Sequence, residues 1–469
     1  MSATGTEKSN AGPHILVLPY PAQGHMLAML DLTHQLVLKG SSITIVVTPK
    51  NLPILDSLLS THPTTIQTLV LPFPSHPKLP PGVENVREIG NKGNYPIINA
   101  LSKLQDPIIH WFKSHPSPPV ALVSDFFLGW TLQLAHQLGI PRIVFYSSGA
   151  FYTAVINHCW LNSEAVRGSK LVQFSGLPGS PSFKEEHLPS IFRLYRESDP
   201  DSAFVKDSML GNIESWGIVF NSFSALEGPF LDYLKTTSGH TRVFGVGPLS
   251  LIGVNNGLGR VNPDLEPSSK VFTWLDECPD GSVLYVCFGS QKFLKREQME
   301  ALAAGLEQSE TRFIWVVNAG KDTAQVEDGF LDGFENRVGG RGLVIKCWAP
   351  QVSILNHQAV GGFLSHCGWN SVLEGTVSGV MFLTWPMEAD QFVNAKLVEN
   401  MGAAVRVCEG ADSVPDPDEL GRVIRELMRG DSAQEVRAKE FSDEAIKAVS
   451  DEGSSTKYLD ELVKALSQI

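Results

Sequence analysis

At 469 residues the chain is too long for one compact domain and suits two of ordinary size with a cleft between them. Hydrophobic residues make up 43% and charged residues 19%, which supplies buried cores and excludes a disordered chain. Thirty-seven Lys and Arg against 50 Asp and Glu leave a net charge of −13, which argues against a nucleic-acid or anionic-membrane surface, so any bound phosphate must be held locally.

The first 13 residues, MSATGTEKSNAGP, lack the apolar centre of a signal peptide and read as a short tail. No later stretch reaches the roughly 18 apolar residues of a membrane span, and no N-x-S/T sequence occurs. A cytoplasmic protein without a stable membrane anchor is the expectation. The six cysteines, Cys159, Cys278, Cys287, Cys347, Cys367 and Cys408, form no C-x-x-C pair and read as buried free thiols.

From residue 14 onward, short β-branched runs alternate with helical stretches: HILVLPY (14–20), ITIVVTP (43–49), IQTLVL (66–71), VALVSD (120–125) and RIVFYS (142–147). Uninterrupted apolar runs of this length predict strands buried on both faces, and their alternation with helices predicts a parallel sheet. The spacing of Leu27, Leu30, Leu32, Leu36 and Val37 predicts a helix over 26–39 that Gly40 ends. The second half repeats the theme with SVLYVCF (282–288), RFIWVV (312–317), LVIKCW (343–348), GGFLS (361–365) and VMFLTW (380–385). Between them, residues 245–269 are rich in Gly, Pro and Asn without periodicity, which places a boundary near residue 255. The expected organisation is a tail at 1–13, a domain at 14–254, a linker at 255–269 and a second domain at 270–469. Two doubly wound α/β domains facing each other would form a ligand crevice at the carboxyl ends of both sheets.

The densest chemical signal is the 44-residue segment Trp348–Gln391, WAPQVSILNHQAVGGFLSHCGWNSVLEGTVSGVMFLTWPMEADQ. Trp348 follows a strand and offers a flat face for a base, although taken alone a core tryptophan at a strand end is the better explanation. His366, Cys367, Gly368, Trp369, Asn370 and Ser371 join a strand to a helix, and a helix amino terminus attracts a diphosphate. His366 adds a donor that could become cationic, and Asn370 and Ser371 add side-chain donors. Against this, Ser371 and Glu374 form an S-x-x-E pattern that a capping box would explain without a ligand. Asp390 and Gln391 set a carboxylate beside an amide, which suits neighbouring sugar hydroxyls and also suits a polar turn before a helix.

This segment resembles the signature box of plant family-1 UDP-sugar-dependent glycosyltransferases, which have the two-domain GT-B fold. The resemblance runs from PAQGHMLAMLDL to the closing helix KYLDELVKAL, and among subgroups it is nearest the flavonoid and small-phenol glucosyltransferases and flavonol 7-O-rhamnosyltransferases. It implies that the first domain takes the acceptor and the second the UDP-sugar, with the final helix, about 455–469, packing back on the first. Trp348 would stack the uracil, the backbone at Ala349 would meet its edge, and Gln351 and Glu374 would hold the ribose. His366, Asn370, Ser371 and Ser290 of CFGSQ would hold the diphosphate; Trp369, Asp390 and Gln391 would hold the sugar. A Gln at the last position of the box suggests glucose, with rhamnose as the alternative. Val380 and Met381 depart from the family's Val-Pro, a change that touches packing more than chemistry.

The catalytic base must come from the acceptor side. His25 in PAQGHM follows the first strand at the carboxyl end of the sheet, and imidazole, with an unperturbed pKa near ~6.5, takes a proton readily at neutral pH. Asp125 ends the fourth strand and could orient it, as carboxylates do in hydrolase triads. Both match the family's catalytic dyad, which implies inverting transfer to an acceptor hydroxyl, with attack by carbon as a variant. UDP-sugar is then a co-substrate, with no cofactor or metal expected, and the resemblance implies a monomer. Phe126, Phe127 and Trp130, with Phe145, Tyr146, Phe151 and Tyr152, are candidates for an aromatic acceptor pocket, beside a variable loop region at about 179–206.

Two D-P-D sequences, at Asp199 and Asp201 and at Asp416 and Asp418, read as polar turn or helix-start acids rather than metal ligands. Gly245, Gly247 and Ser250 approach a dinucleotide fingerprint but lack its third glycine and following helix. A sugar-nucleotide epimerase and a non-catalytic binder are the rival classes, and the dyad beside the box disfavours both.

Overall fold

A computed structural model describes residues 12–251, 267–290, 292–318, 329–346 and 348–469. In the first lobe the strands are β1 (His14–Leu18), β2 (Ser42–Val47), β3 (Ile66–Val70), β4 (Ala121–Asp125) and β5 (Arg142–Tyr146). A two-stranded antiparallel ribbon, β6 (Leu171–Gln173) and β7 (Ser182–Lys184), precedes β8 (Gly217–Phe220) and β9 (Val243–Gly245). Among the described residues the main sheet has seven parallel strands in the order β3-β2-β1-β4-β5-β8-β9. The second lobe contains β10 (Val283–Cys287), β11 (Arg312–Val317), β12 (Gly342–Lys346), β13 (Val360–Ser365), β14 (Met381–Thr384) and β15 (Ala404–Arg406). These pair in parallel in the order β12-β11-β10-β13-β14-β15.

Both sheets reverse direction at their first strand. The chain runs outward through β1, β2 and β3 and returns to place β4 on the other flank of β1, with Leu18 beside Ser124. It does the same with β13 beside β10, where Cys287 faces Ser365. Connections leave such neighbours in opposite directions, which opens a crevice at the carboxyl ends. His25 and Asp125 sit at the first switch point, and Ser290 and His366 at the second.

Helix α1 (Gln23–Leu38) starts three residues before the position that its apolar spacing predicts. It ends where Gly40 turns to φ +94°, a conformation that glycine adopts freely. Every residue of β4, β5 and β10 is buried, as uninterrupted apolar runs require.

Sequence reading missed β8, β9 and β15, of four, three and three residues, because fragments this short carry no periodicity of their own. The aperiodic stretch from 245 is also corrected at both ends. Gly245 closes β9, and Val246 and Leu249 are buried in the first lobe. At the other end, a helix with proline in its first position, Pro267–Asp276, begins inside the expected linker. The boundary near 255 and most of the tail lie outside the described residues, as does Cys347. The other five cysteines are free thiols.

Three further helices carry the site: α2 (Ala150–Leu161), α3 (Trp369–Val377) and α4 (Gln391–Asn400). The closing helix α5 (Ser454–Leu466) lies on the first lobe, where Leu459, Leu462 and Leu466 join the core of Ile15, Val219 and Phe244. Ser455 Oγ donates to Gly247 O at 2.5 Å, and Lys39 pairs with Asp460 at 2.6 Å. Leu462 is 1% exposed, so Leu462→Ala should lower unfolding stability by about 2–4 kcal/mol. Denaturant unfolding measures this, and a midpoint equal to the parent's would show that α5 is not part of the first lobe's core.

Candidate active site

On the first lobe, the turn Tyr20–Ala22 leads from β1 into α1 and sets His25 in that helix's first turn. Asp125, fully buried, caps the short turn Phe126–Leu128 by accepting the Phe127 N–H at Oδ1, 2.9 Å away. Its other oxygen, Oδ2, lies 2.9 Å from His25 Nδ1. A carboxylate oxygen accepts, so the imidazole proton sits on Nδ1 and the lone pair on Nε2. Three aromatic rings pack around the imidazole: Phe126 stacks on it with centroids 5.4 Å apart, Phe127 lies at 4.8 Å and Tyr20 at 5.2 Å. Tyr20 in turn donates to Asn94 Oδ1 at 2.7 Å, and burial holds its phenol far above the usual range.

On the second lobe, β13 runs into His366, Cys367 and Gly368, and Gly368 caps α3. Cys367 adopts φ +64°, unusual for a residue with a side chain, and is held there by two bonds. Its N–H donates to Ser365 Oγ at 3.0 Å, and its carbonyl accepts from Asn394 Nδ2 at 3.0 Å. The His366 imidazole lies against Gly289 and Gly368, where a Cβ on either residue would fall 2.7 Å from Nε2. Burial pushes the pKa of His366 down to about 4, and its Nδ1 has no protein partner. Burial thus favours the neutral imidazole at this position in the ligand-free protein. A cation that does line this wall, with Ser290, is Lys292, whose ammonium also donates to Ala411 O at 3.2 Å.

The capping-box explanation for Ser371 and Glu374 is also overturned. The helix begins one turn earlier, capped by Gly368, so both residues are inside it. Their oxygens accept instead from Gln351 Nε2, at 3.2 Å for Ser371 Oγ and 2.6 Å for Glu374 Oε2. Tyr285 donates to Gln351 Oε1 at 3.4 Å. Half-buried Trp348 and buried Ala349 lead into the short helix that Gln351 opens. These four residues, Trp348, Ala349, Gln351 and Glu374, stand off the main cavity, joined to it through Ser371.

Asp390 caps α4 with its backbone, while its Oδ2 accepts from Ser148 Oγ and from Asn394 Nδ2, both at 2.8 Å. Burial holds its carboxyl above the ordinary range. Gln391 Oε1 accepts the N–H groups of Met387 and Glu388 at 2.9 and 3.0 Å. That assignment leaves the amide NH2 of Gln391 as a donor for the cavity it lines.

The two walls face each other across a cavity of about 300 Å³. His25, Phe126, Phe127, Ser290, His366, Trp369, Asn370, Ser371, Asp390 and Gln391 all line it, with Asp125 buried behind His25. Asn370 Nδ2 closes part of the seam by donating to Gly24 O at 3.0 Å. The Trp369 indole is committed to the other lobe, donating to Asn221 O at 3.0 Å and packing against Gly149.

Four expected pocket aromatics, Trp130, Phe145, Tyr146 and Phe151, do not line the cavity. Phe151 is 1% exposed and stacks on Phe230 at 4.3 Å, and Trp130 is 6% exposed in the same core. Both face inward because their elements turn the opposite side to the cleft. Tyr152 does line the cavity as expected, and Ser147, Ser148, Ser190 and Ile191 join it. Ser147 was legible as the end of the run RIVFYS, and Ser148 follows it. Ser190 opens a short helix, Ser190–Arg193, in the region read as a variable loop. Both D-P-D sequences start helices: Asp199 accepts from Asp201 N and Asp416 from Glu419 N.

A neutral His366 has a spectroscopic consequence. In the ligand-free protein its ring, followed by NMR of labelled histidine, should stay neutral with one protonated nitrogen from pH 8 to about 5 and gain its second proton only near pH 4. A midpoint near ~6.5 would mean that the imidazole is solvated and available as a cation.

Residues 263–436 match the family described as UDP-glucoronosyl and UDP-glucosyl transferase. UDP-glycosyltransferase 89A2 of Arabidopsis thaliana is 52% identical, covering 99% of this chain and 98% of its own length. Flavonol 3-O-glucosyltransferase UGT89B1 of the same plant is 46% identical over 96% of this chain and 95% of its own. A flavonol 7-O-rhamnosyltransferase, also from Arabidopsis thaliana, is 41% identical over 99% of each chain. The crystal structure of Arabidopsis thaliana UGT89C1 matches with a TM-score of 0.79 at 40% identity, over 97% of this chain and 100% of that one. That protein has also been solved with UDP-L-rhamnose and with quercetin. The fold is the two-lobed GT-B arrangement, and the chain belongs to the family-1 UDP-glycosyltransferases.

Proposed function

We propose that this protein transfers glucose from UDP-glucose to a hydroxyl of a flavonoid-type phenol, with inversion at the anomeric carbon. The observation that carries the reading is the His25–Asp125 pair at 2.9 Å, set across one cavity from the amino terminus of α3. His25 Nε2 takes the acceptor proton while Asp125 holds the ring and balances the charge it gains. The acceptor oxygen then bonds to the anomeric carbon from the face opposite UDP. The bond from that carbon to the phosphate oxygen breaks, and its electron pair leaves with UDP.

The second lobe is suited to the rest of the donor. Trp348 offers a face for uracil with the Ala349 backbone at its edge, and ribose hydroxyls can take the places that Gln351 and Glu374 now give each other. The first N–H groups of α3 lack helical partners and, with Ser290, His366, Asn370, Ser371 and Lys292, meet the charge that builds on the diphosphate without a metal. Trp369 borders the sugar, Asp390 accepts from its hydroxyls, and the Gln391 amide donates to them. Phe126, Phe127 and Tyr152 offer an aromatic acceptor wall.

Flavonol-named relatives and a neighbouring structure with quercetin support the acceptor class. No helix among the described residues is long and apolar enough to cross a membrane, and we read the protein as a cytoplasmic monomer. Rhamnose is the second reading for the sugar, favoured by the 41% identical rhamnosyltransferase and the neighbour bound to UDP-L-rhamnose. Glucose is preferred on the family resemblance, in which a Gln at the position of Gln391 goes with that sugar.

His25→Ala should lower turnover of quercetin by about 10²–10⁴-fold while leaving UDP affinity intact, and unchanged turnover would remove His25 from the base role. Parallel assays with UDP-glucose and UDP-rhamnose, products identified by mass spectrometry, should give the higher kcat/KM with UDP-glucose. The reverse order selects the rhamnose reading.

A further inference from the structure

The turn that carries the sugar-facing pair is bonded to the opposite lobe at three consecutive residues. Asn91 Nδ2 donates to Glu388 Oε1 at 3.0 Å. Ser190 Oγ accepts the Ala389 N–H at 2.7 Å, and the Ser190 N–H donates to Ala389 O at 3.3 Å. Ser148 Oγ donates to Asp390 Oδ2 at 2.8 Å. Three separate elements of the first lobe thus hold three adjacent residues of the second.

Ala389 is the middle of this set, and its backbone sits at φ +57°, a region that residues with a Cβ avoid. The two-way bond to Ser190 satisfies both of its backbone polar groups in that conformation. Asp390 and Gln391 follow directly, and Gln391 Oε1 closes the turn from inside by accepting from Met387 and Glu388. Arg193 Nη2 donates to Ser190 Oγ at 3.1 Å and its Nε to Leu188 O at 2.9 Å, which fixes the serine on its own lobe.

We propose that Ser190 is a positioning residue for the sugar of the donor. Acting from the acceptor lobe, it holds Ala389 in the left-handed turn that presents Asp390 and Gln391 to the cavity. The inference rests on the reading of that cavity as a UDP-sugar site. Its consequence is that donor affinity depends on a residue of the lobe that takes the acceptor. Ser190 also lines the cavity, so direct contact with the acceptor is the alternative that the test must separate.

Calorimetric titration of the full-length protein with UDP and with UDP-glucose, acceptor omitted, separates them. Ser190→Ala should raise the Kd for UDP-glucose about tenfold and leave that for UDP within about twofold, because only the sugar end loses its alignment. Ser190→Thr keeps the hydroxyl and should restore UDP-glucose binding to within about twofold of the parent. An unchanged Kd for UDP-glucose in Ser190→Ala overturns the proposal, as does an equal weakening of UDP, or a threonine variant as weak as alanine. If the parent protein binds neither nucleotide, the UDP-sugar reading itself fails.

Discussion

Asn370 reaches from the second lobe to donate to the Gly24 carbonyl of the first, and this bond registers the two halves of the site. Gly24 precedes His25, and Asn370 is the second residue of α3. With the seam bonds of Trp369, Glu388, Ala389 and Asp390, the Asn370 bond sets the separation between a candidate proton acceptor and a helix terminus suited to an anion. Each partner sits at the reversal point of its own sheet, so the topology that opens both crevices also aims them at each other. Gly149 shows how close the approach is, since a Cβ there would meet the Trp369 ring at 2.9 Å and Glu227 Oε1 at 2.6 Å. Glu227 in turn accepts the Ala150 and Phe151 N–H groups that open α2, at 2.9 and 2.8 Å.

An acidic protein that handles a diphosphate needs little positive charge if its donors are fixed. Desolvation lowers the pKa of His366 in the ligand-free protein. Oriented N–H groups at a helix start carry a partial positive charge that costs no reorganisation when the ligand gains negative charge. Lys292 adds a full charge from the wall that also holds Ser290. A net charge of −13 is compatible with this arrangement because the field that matters is local.

The strands that build both switch points were legible in the sequence because they are long, apolar and β-branched, and buried strands must be so. His25 and Asp125 were legible because each follows or ends such a strand. Ser371 and Glu374 show the limit of pattern: their spacing fits a cap, yet Gly368 starts the helix a turn earlier and frees both side chains for Gln351. Phe151 and Trp130 show another, since a helix or turn rich in aromatics does not reveal which side meets the cleft. The bonds of Asn91, Ser148 and Ser190 to Glu388, Asp390 and Ala389 lie about two hundred residues or more apart in the chain. No local periodicity records such pairs.

The central claim is a single displacement across the seam, with His25 on one side of the anomeric carbon and the diphosphate donors on the other. The most direct measurement is the anomeric configuration of the glucoside formed from UDP-α-glucose and quercetin, read from the proton coupling at the anomeric carbon by NMR. A β-linked product follows from attack opposite the leaving UDP. An α-linked product would require attack from the same face or a covalent intermediate, and neither agrees with His25 acting as a base from across the cleft.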